Sequence, residues 1–495
     1  MTVTPILRDA TSRRSHDRPR PVTGTLGAFD RLDLLCDEGS LRTIRSTVSS
    51  RRMGEKARPG DGVVVGAGEI DGRPVYCYAQ DASFAGGSLG EAHANSIVRV
   101  LELAGQAQVP VIGFVESGGA RMQEGTAALG GYGRIFRQNV ALSGRVPQIS
   151  VIGGTSAGGG SYSPALTDFV LMTKQASMFL TGPRVVQDVM GERVSAAELG
   201  GPKVHERNGV CQFVAEDDVE SIFLVRELLS FLPQNWSERP PARPSSAALR
   251  GDPGACVPLE QRKVYDVRDV IARIVDAGRL LEVSERWARN MVTGFGRIEG
   301  RPVGIIANQP HHLGGTIDSE AAQKAARFVR TCNSFGLPLV VLVDAPGFLP
   351  GSKQEANGVI RHGAKLLHAF AEATVPRLTV VLRKAFGGAY ITMNSRDLGA
   401  DMAFAWPQAE IGVMGAVQAV GVIGRREIAA ADDPDATRTA LAEEYAAEHL
   451  SASIAAREGF IDEVIEPRET RSRLAWALSG LERERSAPSG GNIPL

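Results

Sequence analysis

Charge of one sign is what this sequence lacks first: 55 Lys and Arg stand against 56 Asp and Glu, a formal net charge of -1 over 495 residues. No global field would draw in a nucleic acid or an anionic bilayer, so an anionic ligand must be held by local donors. Cysteine is scarce and odd in number. Cys36, Cys77, Cys211, Cys256 and Cys332 are widely spaced without a Cys-x-x-Cys pair, which argues against a disulfide framework and a Cys-rich zinc site and points to a reducing, cytoplasmic setting. No apolar run reaches the roughly 18 residues of a membrane span. The opening MTVTPILRDATSRRSHDRPRP has no apolar core of a secretory signal.

Glycine is plentiful instead, 56 residues gathered into a few clusters. Residues 1–24, rich in Arg, Pro, Ser and Thr, read as a disordered tail. SERPPARPSSAALRGDPGA, residues 237–255, excludes a regular element and divides the chain near its middle. The expected organisation is a first domain over 25–248, a second over 249–486, and a loose tail over 487–495.

The two halves repeat one another. DGRPVYCYAQ from Asp71 matches EGRPVGIIANQ from Glu299, Gly86-Gly87 matches Gly314-Gly315, and VPVIGFVESGG from Val109 matches LPLVVLVDAPG from Leu337, each 228 residues on. VPQISVIGGTSAGGGSYSPALTDF from Val146 pairs with VPRLTVVLRKAFGGAYITMNSRDL from Val375, 229 residues on. Each half runs apolar strand, glycine turn, then helix; EAHANSIVRVLELAG and EAAQKAARFVRTCNSFG have helical periodicity and end at glycine. The pattern predicts a duplicated α/β fold with largely parallel strands.

The densest motif is SAGGGSYSPALTDF, Ser156 to Phe169. Gly158, Gly159 and Gly160 let backbone approach a ligand closely and aim amide N–H groups and a helix N-terminus at one point, as an oxyanion needs. A tight packing turn would also need glycine, but RKAFGGAYITM repeats the device at the matching place. Gly154 to Gly158 satisfies G-x-S-x-G, the serine hydrolase elbow. No histidine has a context that would complete a triad, and Ala385 replaces Ser156 in the repeat. ESGGARMQEG sets Gly118, Gly119 and Ala120 at the end of a buried strand, with Arg121 suited either to a ligand phosphate or to a neighbouring carboxylate. His311-His312 lacks partners at metal-ligand spacing.

FAGGSLGE, SGGARMQEG, AGGGSYSPALTDF, VDAPGFLPG, RKAFGGAYITM and AWPQAEIGVMGA, in order between about Arg31 and Leu474, resemble the carboxyltransferase (β) subunits of biotin-dependent acyl-CoA carboxylases, closest to the propionyl-CoA carboxylase type. The resemblance implies two crotonase-like domains, a homohexameric ring, and sites shared between the first domain of one chain and the second of its neighbour. It implies an acyl-CoA substrate, carboxybiotin carried by a biotin carboxylase/biotin carrier (α) subunit, and no metal. Gly158 and Gly159 would hold the thioester oxygen; Gly415 and Ala416, in VMGA, would hold the biotin ureido oxygen. Gly118, Gly119, Ala120, Arg121, Gly160, Gly387, Gly388 and Gln418 would line the cofactor sites, Gln418 facing the acyl tail.

A decarboxylase subunit running the transfer in reverse from a malonyl-type thioester shares these motifs, and a non-catalytic ring-forming scaffold is a further alternative that the intact glycine pairs disfavour. The sequence departs from the family pattern in three places. It has TGTLGAFDRLDLLCDEGS where a basic helical segment is usual, Ile391 where many relatives have Asp, and HLSAS in place of Pro-Tyr. With no Met-Lys-Met biotinylation segment and no candidate ATP-binding domain between the repeats, a separate biotinylated partner is expected.

Overall fold

The computed structural model describes residues 26–481 and 491–494; the expected tail over 1–24 lies outside the described residues. In the first half α1 (Ala28–Leu35) precedes β1 (Arg42–Ile44), β2 (Val63–Ile70), β3 (Arg73–Gln80), β4 (Val111–Ser117), β5 (Gln148–Ala157), β6 (Phe169–Thr173), β7 (Ser177–Phe179) and β8 (Phe213–Ala215). Their order is β1-β2-β3-β4-β5-β6-β8, with β7 beside the end of β5. From β3 onward all pairings are parallel. The first half also carries α2 (Glu91–Ala107), α3 (Thr126–Leu142), α4 (Gly159–Ala165), α5 (Pro183–Met190) and α6 (Asp218–Leu229).

The second half repeats the plan with β9 (Leu281–Glu282), β10 (Met291–Ile298), β11 (Arg301–Asn308), β12 (Leu339–Ala345), β13 (Arg377–Phe386), β14 (Met402–Ala405), β15 (Glu410–Gly412) and β16 (Glu463–Val464). The order is β16-β14-β13-β12-β11-β10-β9, and β15 lies beside the end of β13 as β7 does beside β5. Its helices include α7 (Ser319–Phe335), α8 (Val359–Glu372), α9 (Gly387–Thr392), α10 (Ala416–Ile423) and α11 (Pro434–His449).

Each sheet enters its parallel part through an antiparallel hairpin. Asp71-Gly72 (φ 52° and 72°) joins β2 to β3 and Glu299-Gly300 (φ 51° and 79°) joins β10 to β11, the two-residue turn whose twist matches the strands it links. Strands β4 and β12 are apolar almost throughout because helices cover both faces of a parallel sheet.

Three expectations need correction. Helix α2 does not stop at Gly105 but continues to Ala107, and Gln108 takes the left-handed cap at φ 56°. Gly105 serves packing instead, since a Cβ there would stand 2.8 Å from Leu142 of α3. The proline-rich stretch docks on the second half before residue 248: the Arg243 amide donates to the Gly300 carbonyl at 3.0 Å, and a short 3-10 turn spans Pro253–Cys256. The C-terminal tail is not loose over residues 491–494, where Asn492 is buried and hydrogen-bonded.

One core cluster runs through both halves. At its centre the Phe295 ring lies 6.1 Å from Phe169, 5.8 Å from Phe231 and 5.0 Å from Phe328. Phe295→Ala should lower the free energy of unfolding by about 3–5 kcal/mol, the cost of a large buried cavity, read from denaturant unfolding of the whole chain.

Candidate active site

The parallel register carries β5 directly into α4, and the reversal at their junction is made by Gly158 at φ 58°, ψ -124°, a conformation closed to side chains with a Cβ. Gly159 and Gly160 are glycines for a different reason. A Cβ on Gly159 would lie 2.7 Å from the Tyr132 ring, and one on Gly160 would lie 2.8 Å from Ser156 Oγ. Burial and the Ser117 hydroxyl, 3.2 Å away, surround the Tyr132 hydroxyl, and burial raises its pKa.

The three amides are unequal. Gly158 N–H donates to the Phe179 carbonyl at 3.0 Å on β7, and the Gly160 amide faces the Tyr132 hydroxyl. Gly159, the first residue of α4, has no carbonyl a turn behind it to accept its N–H. The expected donor Gly158 is therefore already engaged, and Gly159 is the open one. Across the junction, Leu89 bridges Ala120 by donating to the Gly119 carbonyl and accepting from the Arg121 amide. That pairing turns the Ala120 N–H away from Leu89. Gly118 donates to the Gly86 carbonyl and Gly119 to Ser117 Oγ, so these two shape the turn.

Arg121 is buried in a carboxylate cage, the second of its two readings. Its Nη1 lies 2.6 Å from Asp61 and 2.9 Å from Glu124, while Nη2 donates to the Ser88 carbonyl. Arg121 braces the FAGGSLG loop and offers nothing to a ligand phosphate. Ser156 is likewise buried, and its hydroxyl has no hydrogen-bond partner; a nucleophile with neither base nor access is no hydrolase serine.

Behind both turns stands a carboxylate at the end of the central strand, Glu116 on β4 and Asp344 at the matching place on β12. Arg31, from α1, lies 2.8 Å from Glu116 and 3.0 Å from Asp218; Arg383, from β13 itself, lies 3.0 Å from Asp344. Gly154 is the repeat partner of Arg383, and a Cβ there would meet Glu116 at 2.2 Å. The same charge is thus neutralised from different elements in the two halves. Burial pushes the Asp344 carboxyl up, opposed by Lys384 and Arg383.

In the second half Gly387 (φ 57°) repeats Gly158, and Gly388 repeats Gly159 against Phe348, at an ordinary 3.7 Å. Gly415 caps α10, so its amide and that of Ala416 head a helix N-terminus. Gln418 is exposed on the first turn of α10, its Oε1 3.0 Å from where a Cβ on Gly415 would stand. Helix α10 packs with α11 in a small cluster of Val420, Ile428 and Ala442 and leaves Val413, Met414, Val417, Val422 and Ile423 exposed. Ile391 is also exposed, and in HLSAS Ser451 pairs with Glu410 and caps the next helix.

The sequence reading missed the first-half counterpart of Gly415. Phe179 and Gly412 hold equivalent register positions, and three residues beyond them Gly182 and Gly415 each cap a helix. Where the second half continues with Ala416, the first has Pro183, which has no N–H to offer. The repeated LTGP and VMGA segments carried that signal.

A carboxyl transferase domain profile matches residues 20–489. The chain belongs to the carboxyl transferase family. It is 50% identical over 483 residues to the methylmalonyl-CoA carboxyltransferase 12S subunit of Propionibacterium freudenreichii subsp. shermanii, covering 95% of this chain and 92% of that one. It is 48% identical to the propionyl-CoA carboxylase carboxyltransferase subunit of Haloferax mediterranei, covering 95% and 94%. The crystal structure of the transcarboxylase 12S hexamer with methylmalonyl-CoA superposes with a TM-score of 0.91 at 50% identity, covering 95% of this chain and 93% of that one. The fold is thus the duplicated crotonase-like α/β architecture of this carboxyl transferase.

Beside the turn, Gln80 Oε1 accepts the Glu116 amide, which leaves its Nε2 to donate to His93 Nε2 at 3.1 Å. His93 must therefore accept at Nε2 and stay neutral, and burial lowers its pKa to about 3, with Arg121 adding to the shift. The unfolded chain takes up this proton near pH 6.5 and the folded chain does not. The His93 contribution is complete above pH 6.5 and is lost as pH falls towards 3. Urea unfolding over that range should show stability declining, with a shallower decline in His93→Gln; equal slopes would mean that His93 titrates normally in the fold.

Proposed function

We propose that this chain transfers a carboxyl group from carboxybiotin, delivered by a biotin carboxylase/biotin carrier (α) subunit, to the α-carbon of an acyl-CoA. The observation that carries the reading is the pair of glycine-headed helix N-termini, at Gly159 and at Gly415-Ala416, whose amides have no helical acceptor. Transfer of the α-proton to the biotin ureido nitrogen, once that nitrogen has released its carboxyl group, would put negative charge on the thioester oxygen without a side-chain base, and the Gly159 N–H with the α4 N-terminus meets that charge. Ala120 N–H is the candidate second donor. The Gly415 and Ala416 amides meet the charge on the ureido oxygen of biotin, which supplies the activated carboxyl group. Backbone donors that do not reorganise favour the charged state over the neutral one, each by on the order of 3 kcal/mol.

The exposed apolar side chains on α10 and those about α5, Leu180, Val185, Val189 and Met190, support an assembly in which neighbours cover them. A homohexamer with sites between the first half of one chain and the second half of the next accounts for both. Among the described residues no helix is long and apolar enough to cross a membrane. Five unpaired cysteines support a cytoplasmic location.

The test is fixation of radiolabelled bicarbonate with ATP, a biotinylated partner and a panel of acyl-CoAs. Product should form with the partner and not with this chain alone; covalent biotin on this polypeptide would overturn partner dependence. Release of CO2 from a malonyl-type thioester without fixation would mark a decarboxylase, and neither reaction a scaffold. Gly159→Val should remove activity, since the side chain would enter the Tyr132 ring, whereas Ser156→Ala should stay within a few-fold of wild type.

On the same reading Gln418, exposed on the first turn of α10 beside Gly415, sets acyl choice. Gln418→Ile should change the ratio of kcat/KM between acetyl-, propionyl- and longer acyl-CoAs by roughly 10-fold or more, the range that one or two methylenes supply. Unchanged ratios in a normally assembled variant would remove Gln418 from specificity.

A further inference from the structure

The C-terminal residues Gly491–Pro494 lie in a cleft between the two halves, and the polar groups of that cleft read one side chain. Asn492 is 1% exposed. Its Nδ2 donates to Asp168 Oδ1 at 2.7 Å in the first half and to Thr331 Oγ1 at 3.1 Å on α7 in the second. Its Oδ1 accepts from Arg327 Nη1 at 2.8 Å, and the same guanidinium holds the Asn492 and Ile493 carbonyls. Arg330 donates to the Gly491 carbonyl at 3.0 Å. Gly491 fits because a Cβ there would come within 3.1 Å of Ser143 Oγ. Beside the segment a cavity of about 610 Å³ opens between Gln108, Val140, Ser143, Arg145, Leu166 and Trp236.

We propose that this cleft is a peptide-binding site whose ligand is the Gly-Asn-Ile-Pro segment of this same chain, selected through the Asn492 carboxamide. A donor and an acceptor are both required at that position. Asp168 and Thr331 take hydrogens and Arg327 gives them, so an aspartate would set two carboxylates against one another in a buried place. Aliphatic residues would take their donor from Asp168 Oδ1 and Thr331 Oγ1, although Arg327 would keep the segment's backbone carbonyls. The consequence is mechanical: Asn492 joins Asp168, in the stretch leaving α4, to Thr331 on α7 of the other half, alongside the direct bond from Arg327 to the Thr167 carbonyl.

Two arms test the site. In the full chain, Asn492→Asp should lower the Tm by several degrees, and adding Asp168→Asn should restore at least half of the loss. The restored pair exchanges donor and acceptor, with the Gln148 amide that Asp168 accepts still served by the new side-chain oxygen. In the second arm the chain truncated after Gly490 should bind a fluorescent Gly-Asn-Ile-Pro-Leu peptide saturably. It should bind the same peptide with Asp for Asn at least 10-fold more weakly, and the full chain, its cleft occupied, should bind neither comparably. A double variant no more stable than Asn492→Asp alone would overturn the proposal, as would equal binding of the two peptides or equal binding by truncated and full chains. Should the truncated chain not fold, the first arm decides by itself.

Discussion

A single backbone constraint orders the rest of this molecule: at the end of the fifth strand of each sheet the chain must reverse into a helix within one residue. Gly158 and Gly387 do so at φ 58° and 57°, nearly the same angle in sequences that otherwise share little side-chain chemistry there. From that angle follow the direction of α4 and α9, the placing of the next amide at a helix start, and the need for small neighbours. Tyr132 then fills the space over Gly159, and the carboxylate behind the turn must be neutralised by whatever arginine can reach it. In the first half the reach comes from α1; in the second it comes from the strand itself. The geometry is held while its chemical supports are exchanged.

Much of this was legible in the sequence. Glycine clusters, the 228-residue repeat and apolar strands of the kind buried in parallel sheets all write backbone requirements into residue types. Less was legible where a choice depended on contacts made across the fold. Nothing local to Gly158 says that Phe179 will take its amide, and Gly105 looked like a helix stop because its packing against Leu142 lies far away in sequence. Arg121 admits two readings from sequence, and Asp61, sixty residues earlier, decides between them. The tail at 491–494 looked loose because its composition is that of a linker, and only its partners in two distant segments show otherwise. The two-residue turns at Asp71-Gly72 and Glu299-Gly300, by contrast, are legible in turn chemistry alone.

Buried charge is managed by the same economy throughout. Arg31, Arg121 and Arg383 are all nearly inaccessible and all paired with carboxylates at 2.6–3.0 Å. Such groups add little net stability compared with apolar substitutes, yet removing one partner is costly. Their effect is positional: they fix the loop at 84–90 and the strand ends from which the open amides are presented. His93 belongs to this set as a neutral member, kept so by burial, with Arg121 adding to the shift and Gln80 donating to its Nε2.

The difference between Gly182-Pro183 and Gly415-Ala416 reaches beyond local geometry. A duplicated fold begins with two copies of every address, and a ligand fitted to one could in principle lodge in either. Proline deletes one donor from one copy without disturbing the helix it starts, since a first-turn proline is tolerated there. The proposed donor and acceptor of the carboxyl group would then have unlike berths on a pseudo-symmetric frame. One ligand would then meet two matching helix starts of which only one is complete, the other being short of a single hydrogen atom.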